Sequence, residues 1–196
     1  MRRLLTRAAI LAASGATVPA FAHTGVSPAH DFAHGFLHPL SGLDHMLAMI
    51  AVGLYAAHLG GRSRWLLPAA FVSTMLAGGL AGYAGVRPPL VEPAVALSVI
   101  AMGTAIALGA RLPTLAATVL VAVFAVAHGH AHGSEGAAVA SFLTYAAGFA
   151  AATALLHAAG IAAGLALDRL GKLPATVLKR AAGFSGVVAG IAILAG

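Results

Sequence analysis

The chain has 196 residues, of which 60% are hydrophobic and only 8% are charged, and its mean hydropathy is +0.95. Soluble domains carry about 25% charged residues, so a water-soluble fold is excluded and most of the chain is expected to lie in lipid. The absence of cysteine excludes disulfides, cysteine-based zinc sites, iron–sulfur clusters and thiol nucleophiles. The net charge of +6 comes from scattered basic residues without interleaved aromatics, which excludes nucleic acid as a partner.

The amino terminus has the features of a secretory signal peptide. Arg2, Arg3 and Arg7 form a basic start, an apolar run follows, and residues 20–22 read Ala-Phe-Ala, an A-x-A cleavage signature. We therefore expect residues 1–22 to be removed and residues 23–196 to form a single mature domain. An uncleaved anchor is the alternative, and either outcome places residue 23 outside the cytoplasm.

Apolar stretches of near-spanning length recur along the rest of the chain, and a helix needs about 20 residues to cross the hydrocarbon. The sequence therefore predicts an all-α membrane protein, a bundle of six transmembrane helices. Their predicted bounds are 40–59, 66–85, 93–110, 114–132, 137–165 and 177–195.

Lysine and arginine in alternate joints predict the orientation of this bundle, because cytoplasmic loops retain positive charge during insertion. One set of joints holds only Arg87. The other set holds Arg62, Arg64, Arg111, Arg169, Lys172, Lys179 and Arg180. We expect the second set in the cytoplasm, with the mature amino terminus and the carboxyl terminus in the periplasm.

Eight of the ten histidines then fall at the outer face, and five of these lie in two clusters, at residues 38–45 and 128–135. In the first cluster His38 and His45 are seven residues apart, two turns on one helix face. Asp44 can either bind a cation or orient an imidazole. Pro39 is expected at the first helical position, with His38 at or just before the helix start. A helix cap with interfacial histidines is the alternative.

The second cluster follows at the end of the fourth span. His128 and His132 are four residues apart on one helix face, the spacing that two-histidine metal sites use. Glu135 follows three residues later and reaches the same face if the helix persists, and Glu92 at the start of the third span can complete the site. Imidazole and carboxylate ligands without sulfur suit Ni²⁺, Co²⁺ or Zn²⁺. A loop of solvated polar residues is the alternative.

Other histidines are weaker candidates. His30 and His34 precede His38 at intervals of four and would form a metal-collecting stripe if that segment is helical. His23 would become the mature amino terminus, where its amino group and imidazole could chelate a metal together. His130 is expected to point away from His128 and His132. A solvated surface helix is the alternative for the stripe. His58 and His157, near the cytoplasmic half, are expected to be interfacial histidines with satisfied hydrogen bonds, with a role on an exit path as the alternative.

The two clusters resemble motifs of the HupE/UreJ family of bacterial nickel permeases, hydrogenase and urease accessory proteins. The first-span pattern H-P-x-x-G-x-D-H is matched by His38, Pro39, Gly42, Asp44 and His45. The later pattern F-H-G-x-x-H-G-x-E is matched by His128, Gly129, His132, Gly133 and Glu135. Ala127 replaces the aromatic residue of that pattern, a departure that concerns packing beside the site more than ligation. The segment Val91-Glu92-Pro93 with Ala96, Ser98 and Val99 is similar to the start of the family's third span.

The resemblance implies that residues 23–196 form a transport domain of the bacterial inner membrane that takes up Ni²⁺, with Co²⁺ as a further cargo, for nickel-enzyme maturation. The ion is then a transported substrate, and neither a permanent cofactor nor enzymatic activity is expected. The expected partners are the metal ion and the lipid bilayer, and formation of a homo-oligomer is left open. No nucleotide-binding loop is present in the sequence, so uptake would not use ATP hydrolysis by this chain.

Two other functions fit the same residues. In an intramembrane metalloenzyme the ligands would hold a catalytic metal with one open position, and Glu135 or Asp44 would act as the base. A metal sensor or storage subunit would bind the ion without moving it across the membrane. Flux of the ion in liposomes separates both alternatives from a permease.

Overall fold

The computed structural model describes residues 28–135, 139 and 141–195, and every regular element in this part of the chain is a helix. The predicted all-α fold is therefore confirmed for these residues. The predicted signal peptide and His23 lie outside them. The helices are α1 (Pro28–Ser41), α2 (Leu43–Leu59), α3 (Ser63–Tyr83), α4 (Val91–Leu108), α5 (Thr114–Glu135), α6 (Phe142–Asp168) and α7 (Lys172–Ala195).

Five of these helices, α3 to α7, are long and apolar enough to cross a membrane. The helices α1 and α2 are inclined at 82° to one another across Gly42, and together they make a sixth span if the bent pair counts as one. Large apolar side chains point outward along the bundle, as expected where lipid is the solvent. Among the most exposed are Trp65, Leu108, Leu115, Leu143 and Leu173. The side of the membrane on which each terminus lies stays a prediction.

The expected start of the first span is wrong. Pro39 does not open a helix but lies inside α1, which is already helical from Pro28. The break comes at Gly42, whose backbone is extended (φ −96°, ψ 118°) and separates α1 from α2. The hydroxyl of Ser41 donates to the carbonyl of His38 over 2.6 Å, which satisfies one of the acceptors left open at the end of α1.

The other predicted spans are found, with shifted ends. The largest shifts are at the starts of α6, predicted at 137 and observed at Phe142, and of α7, predicted at 177 and observed at Lys172. Ser141 explains the first shift, because it caps α6 by accepting a hydrogen bond from the backbone N–H of Thr144 over 3.4 Å. Asp31 also accepts from the backbone N–H of Ser141 over 2.8 Å, which ties α1 to the start of α6.

Glycines allow the helices to pack closely in pairs, as small residues do in membrane proteins. The main pairs are α3 with α5, α4 with α7, and α6 with both α1 and α2. In the first pair Gly129 faces the backbone carbonyl of Met75, and Gly133 faces that of Gly79, so closely that neither position has room for a Cβ atom. The α3–α5 contact therefore fixes the height and rotation of the last two turns of α5, which carry the second histidine cluster.

Candidate metal site

Four imidazoles from three helices meet at one end of the bundle. His38 comes from the end of α1, His45 from the first turn of α2, and His128 and His132 from the last turns of α5. The ring centroids lie 4.6 Å apart for His38 and His132, 4.1 Å for His132 and His45, and 4.7 Å for His45 and His128. His45, His128 and His132 are buried, and His38 is half-buried. We call these four residues the outer histidine cluster.

Asp44 orients His45 and so decides which ring nitrogen carries the proton. One carboxylate oxygen, Oδ1, accepts from both the backbone N–H and the Nδ1–H of His45, each over 2.8 Å. Because a carboxylate only accepts, the hydrogen-bond network leaves Nε2 of His45 with its lone pair. Nε2 is buried and has no hydrogen-bond partner among the described residues. A carboxylate behind an imidazole is the usual arrangement for a metal-binding histidine.

Gly42 leaves the space that this arrangement needs. A Cβ atom at Gly42 would lie 2.9 Å from Oδ1 of Asp44 and 3.2 Å from Nδ1 of His45. The break between α1 and α2 and the orientation of His45 therefore depend on the same residue. Asp44 also lies in the first turn of α2, where the positive end of the helix dipole favours a negative charge.

Ser98 of α4 orients His128 in the same way. The hydroxyl of Ser98 donates its one proton to the carbonyl of Val95 over 2.6 Å, so it accepts from Nε2–H of His128 over 2.8 Å. The Nδ1 atom of His128 then keeps its lone pair, and it has no hydrogen-bond partner in the described part of the chain. Two buried nitrogen lone pairs, on His45 and His128, are thus available to a ligand from rings 4.7 Å apart.

Aromatic side chains and a small cavity surround the cluster. The ring of Phe149 lies 4.6 Å from that of His132, and the ring of Phe71 lies 5.5 Å from that of His128. A cavity of about 20 Å³ opens beside His132, close to the volume that one water molecule occupies. Among the described residues, no three histidine or acidic side chains are arranged to hold one ion as they stand. Binding by three of these imidazoles therefore requires their rings to rotate.

Comparison with known proteins gives the family. Residues 11–193 match the model of the family described as HupE / UreJ protein. The chain belongs to the HupE/UreJ family. Protein HupE of Rhizobium leguminosarum bv. viciae is 44% identical over 177 residues, which cover 90% of this chain and 91% of the relative. No solved structure matches the chain. The resemblance predicted from the two histidine motifs is confirmed, and with its apolar helices the chain is a multi-pass membrane protein.

The structure does not show the acidic residues Glu92 and Glu135 of the HupE/UreJ motifs beside the outer histidine cluster. Glu92 is exposed in the first turn of α4, and the structure does not group it with the outer histidine cluster. Glu135 is the last residue of α5, so the helix persists to the end of the motif, but the described side chains do not include it. Metal binding by Glu92, Glu135 and Asp44 stays a prediction.

The weaker histidine candidates separate into two groups. The segment before His38 is helical, and exposed His34 lies with its ring 5.9 Å from that of His38, so the stripe continues outward from the cluster. The side chain of His30 and all of His23 lie outside the described residues. His130 is buried and donates from Nε2 to the carbonyl of Val86, which ties α5 to the loop before α4 instead of serving the cluster.

The expectation for His157 is wrong. It is not an interfacial histidine with satisfied hydrogen bonds, because it is 1% exposed and neither ring nitrogen has a partner among the described residues. His58 lines a cavity at the other end of the bundle, and its Nε2 also lacks a partner within that part of the chain.

Sequence reasoning also missed the positioning roles of Ser98 and Asp31, because both act on residues distant in the chain. One sequence feature could have revealed the role of Ser98, which is its position in the segment similar to the start of the family's third span.

Proposed function

We propose that this HupE/UreJ protein takes up divalent nickel, with cobalt as a further cargo, across the bacterial inner membrane for the maturation of nickel enzymes. The observation that carries the proposal is the meeting of His38, His45, His128 and His132 at one end of an apolar helical bundle. Imidazole nitrogens without sulfur are suited to Ni²⁺ and Co²⁺. The preference for nickel comes from the family resemblance and not from the geometry.

The proposed site is suited to transient binding. A conducting site must bind an ion strongly enough to admit it and weakly enough to release it. A closed set of three or four ligands is absent from the described residues, while two oriented lone pairs, on His45 and His128, are ready for a cation. Rings that rotate to complete the shell can also rotate to open it, which favours passage over storage.

The membrane potential supplies enough free energy for uptake. A divalent cation that moves inward across 100 mV gains about 4.6 kcal/mol, twice the single-charge value. This gain corresponds to accumulation on the order of a thousandfold, since 1.4 kcal/mol is a factor of ten. ATP hydrolysis by the chain is therefore unnecessary in this proposal.

Nickel uptake by cells tests the proposed pathway. We expect His45→Ala and His132→Ala to reduce uptake of radioactive nickel at least about tenfold at unchanged protein level, because each removes one imidazole of the outer histidine cluster. His130→Gln is the matched control, since it removes a buried imidazole that is bound to Val86 outside the cluster. Normal uptake in both alanine variants would refute the pathway.

Liposomes separate the permease from the two other functions. The purified protein should carry Ni²⁺ into sealed vesicles when an inside-negative potential is imposed. A metalloenzyme would instead retain a stoichiometric metal through purification and show no flux, and a sensor or storage subunit would bind Ni²⁺ without flux. Absence of flux from the unaltered protein would therefore refute uptake while leaving metal binding intact.

A further inference from the structure

His157 is a buried histidine that the outer histidine cluster does not include. It lies on α6, whose preceding turns carry Phe149 beside the cluster. Eight residues separate Phe149 from His157, so His157 lies about 12 Å further along the helix axis at 1.5 Å per residue. This direction leads away from the cluster and into the bundle. His157 is 1% exposed there.

The residues around His157 do not form hydrogen bonds with its ring nitrogens, as far as the structure describes them. Neither Nδ1 nor Nε2 has a hydrogen-bond partner within residues 28–135, 139 and 141–195. Phe71 contacts the ring edge-on, with the centroids 4.9 Å apart, and Gly53 of α2 packs against the His157 backbone. A buried polar group without a partner is unfavourable and rare in native structures. A structural role in packing would be met at lower cost by an apolar residue of similar size, so the unpartnered imidazole points to a role in binding a ligand.

The same phenylalanine joins His157 to the outer histidine cluster. The ring of Phe71 lies 5.5 Å from that of His128 on one side of the contact and 4.9 Å from that of His157 on the other. One aromatic side chain thus touches both the innermost buried member of the cluster and the next histidine along the bundle. Thr153, one turn before His157, donates its hydroxyl to the Met75 sulfur over 3.6 Å, so an oxygen atom able to bind a cation lies one helix turn from His157.

A further histidine, His58, lies beside a wide cavity at the other end of the bundle. His58, near the end of α2, lines a cavity of about 640 Å³. Four basic residues and one acidic residue also line it: Arg111, Lys172, Lys179, Arg180 and Asp168. His58 is thirteen residues after His45, which places it about 20 Å from the cluster along α2. Because basic side chains outnumber the single carboxylate around this cavity, retention of a divalent cation is disfavoured there. A cation that arrives there would be released, as conduction requires.

We propose that His157 is a second metal-binding station, which accepts a divalent cation from the outer histidine cluster and passes it toward the cavity lined by His58. This inference rests on the proposed function and adds to it an inner site that the family motifs do not contain. Movement of the Phe71 ring would open the step between His128 and His157. Neither nitrogen of His157 has a partner in the described part of the chain, so either can exchange for water in the shell of the ion.

Nickel flux tests this station. In liposomes His157→Leu, which keeps the volume and removes both nitrogens, should reduce Ni²⁺ flux at least about tenfold. Equilibrium dialysis should still show Ni²⁺ bound with the affinity of the outer histidine cluster, because the four imidazoles of that cluster are unaltered. Flux within twofold of the unaltered protein would overturn the inference while leaving the proposed function in place. Absence of flux from the unaltered protein would remove both.

The absence of cysteine provides a second test that does not require activity. His157→Cys introduces a single thiol, and a small water-soluble thiol reagent should label it in the membrane if the position lies on an ion path. Cd²⁺, a divalent ion that binds thiols, should slow this labelling. Ala152→Cys is the matched control, because Ala152 lies on the same helix and is also 1% exposed. Equal labelling of the two thiols, or no labelling of His157→Cys, would overturn the inference even if His157→Leu does not fold.

Discussion

The two ends of this bundle satisfy their polar groups in opposite ways. At the histidine end, Asp44 and Ser98 use their hydrogen bonds to hold two rings so that a nitrogen lone pair on each is left over. At the opposite end, which we call the arginine end because Arg111 and Arg180 line its cavity, the ammonium of buried Lys179 pairs with the carboxylate of Asp168 over 2.6 Å. The first end therefore presents acceptors to a cation, and the second presents basic groups beside an open cavity.

This difference suggests a direction for the ion. Unpaired nitrogen lone pairs attract a cation. Binding it also removes the free-energy cost of a buried nitrogen without a partner. Basic side chains around the cavity repel a cation, and the Lys179 charge is already matched within the protein. In the proposed pathway, the ion would therefore be attracted at one end of the helices and released at the other. The following variants test whether the two ends act separately.

The largest effect is expected from a single methyl group at the histidine end. Gly129→Ala would push a Cβ atom into the backbone carbonyl of Met75, which cannot yield as a flexible side chain would. We expect α3 and α5 to separate, His128 and His132 to lose their positions, and stability to fall by about 1 to 3 kcal/mol or more. Thermal unfolding in detergent and nickel binding by equilibrium dialysis measure the two effects.

A glycine of the α4–α7 contact is the control for this variant. A Cβ atom at Gly186 would lie 3.6 Å from the Cα of Gly103, an ordinary contact distance. Gly186→Ala should therefore change stability by no more than about 0.5 kcal/mol and leave nickel binding unchanged. Equal effects of the two alanine variants would show that the close α3–α5 approach does not position the cluster.

A smaller effect on nickel binding is expected when the proton of the His128 ring is no longer held on Nε2. Ser98→Ala removes the hydroxyl that accepts from Nε2–H, so the ring is free to place its proton on Nδ1 and lose the lone pair on that nitrogen. Nickel affinity should weaken about tenfold, as for other residues that orient metal ligands. Ser98→Thr keeps the hydroxyl and should restore affinity. Loss of affinity in both variants would indicate a packing defect instead.

The helices were more predictable than the way they meet. Long apolar runs predicted α3 to α7, because spanning length depends only on local composition. The bend at Gly42 was not predicted, because the polar helix α1 precedes the apolar run, and hydropathy gives no signal for a helix that folds back onto α6. The ends of α6 and α7 were misplaced for a local reason, since caps and not hydropathy decide where a helix begins.

The meeting of the histidines was predictable from the sequence, but the contacts that orient them were not. The spacing of His128 and His132 placed both on one face of α5, and each ring lies close to that of His45. The roles of Ser98 and Phe71 depend on contacts across 30 and 57 residues, which no local pattern contains. His157 was misjudged because a lone histidine in an apolar run gives no sign of whether its nitrogens find partners.

Substitutions at the arginine end are expected to have the smallest effect on nickel binding. The two partners of the Lys179–Asp168 pair should differ in how much their loss lowers stability. Lys179→Met leaves the carboxylate of Asp168, half exposed, in water, so stability should change by about 1 kcal/mol or less. Asp168→Asn leaves the ammonium of Lys179 buried without its counter-charge and should cost more. Thermal unfolding of both variants measures this asymmetry. Nickel binding at the outer histidine cluster should be unchanged in each, and a change in affinity in either variant would show that the two ends are coupled.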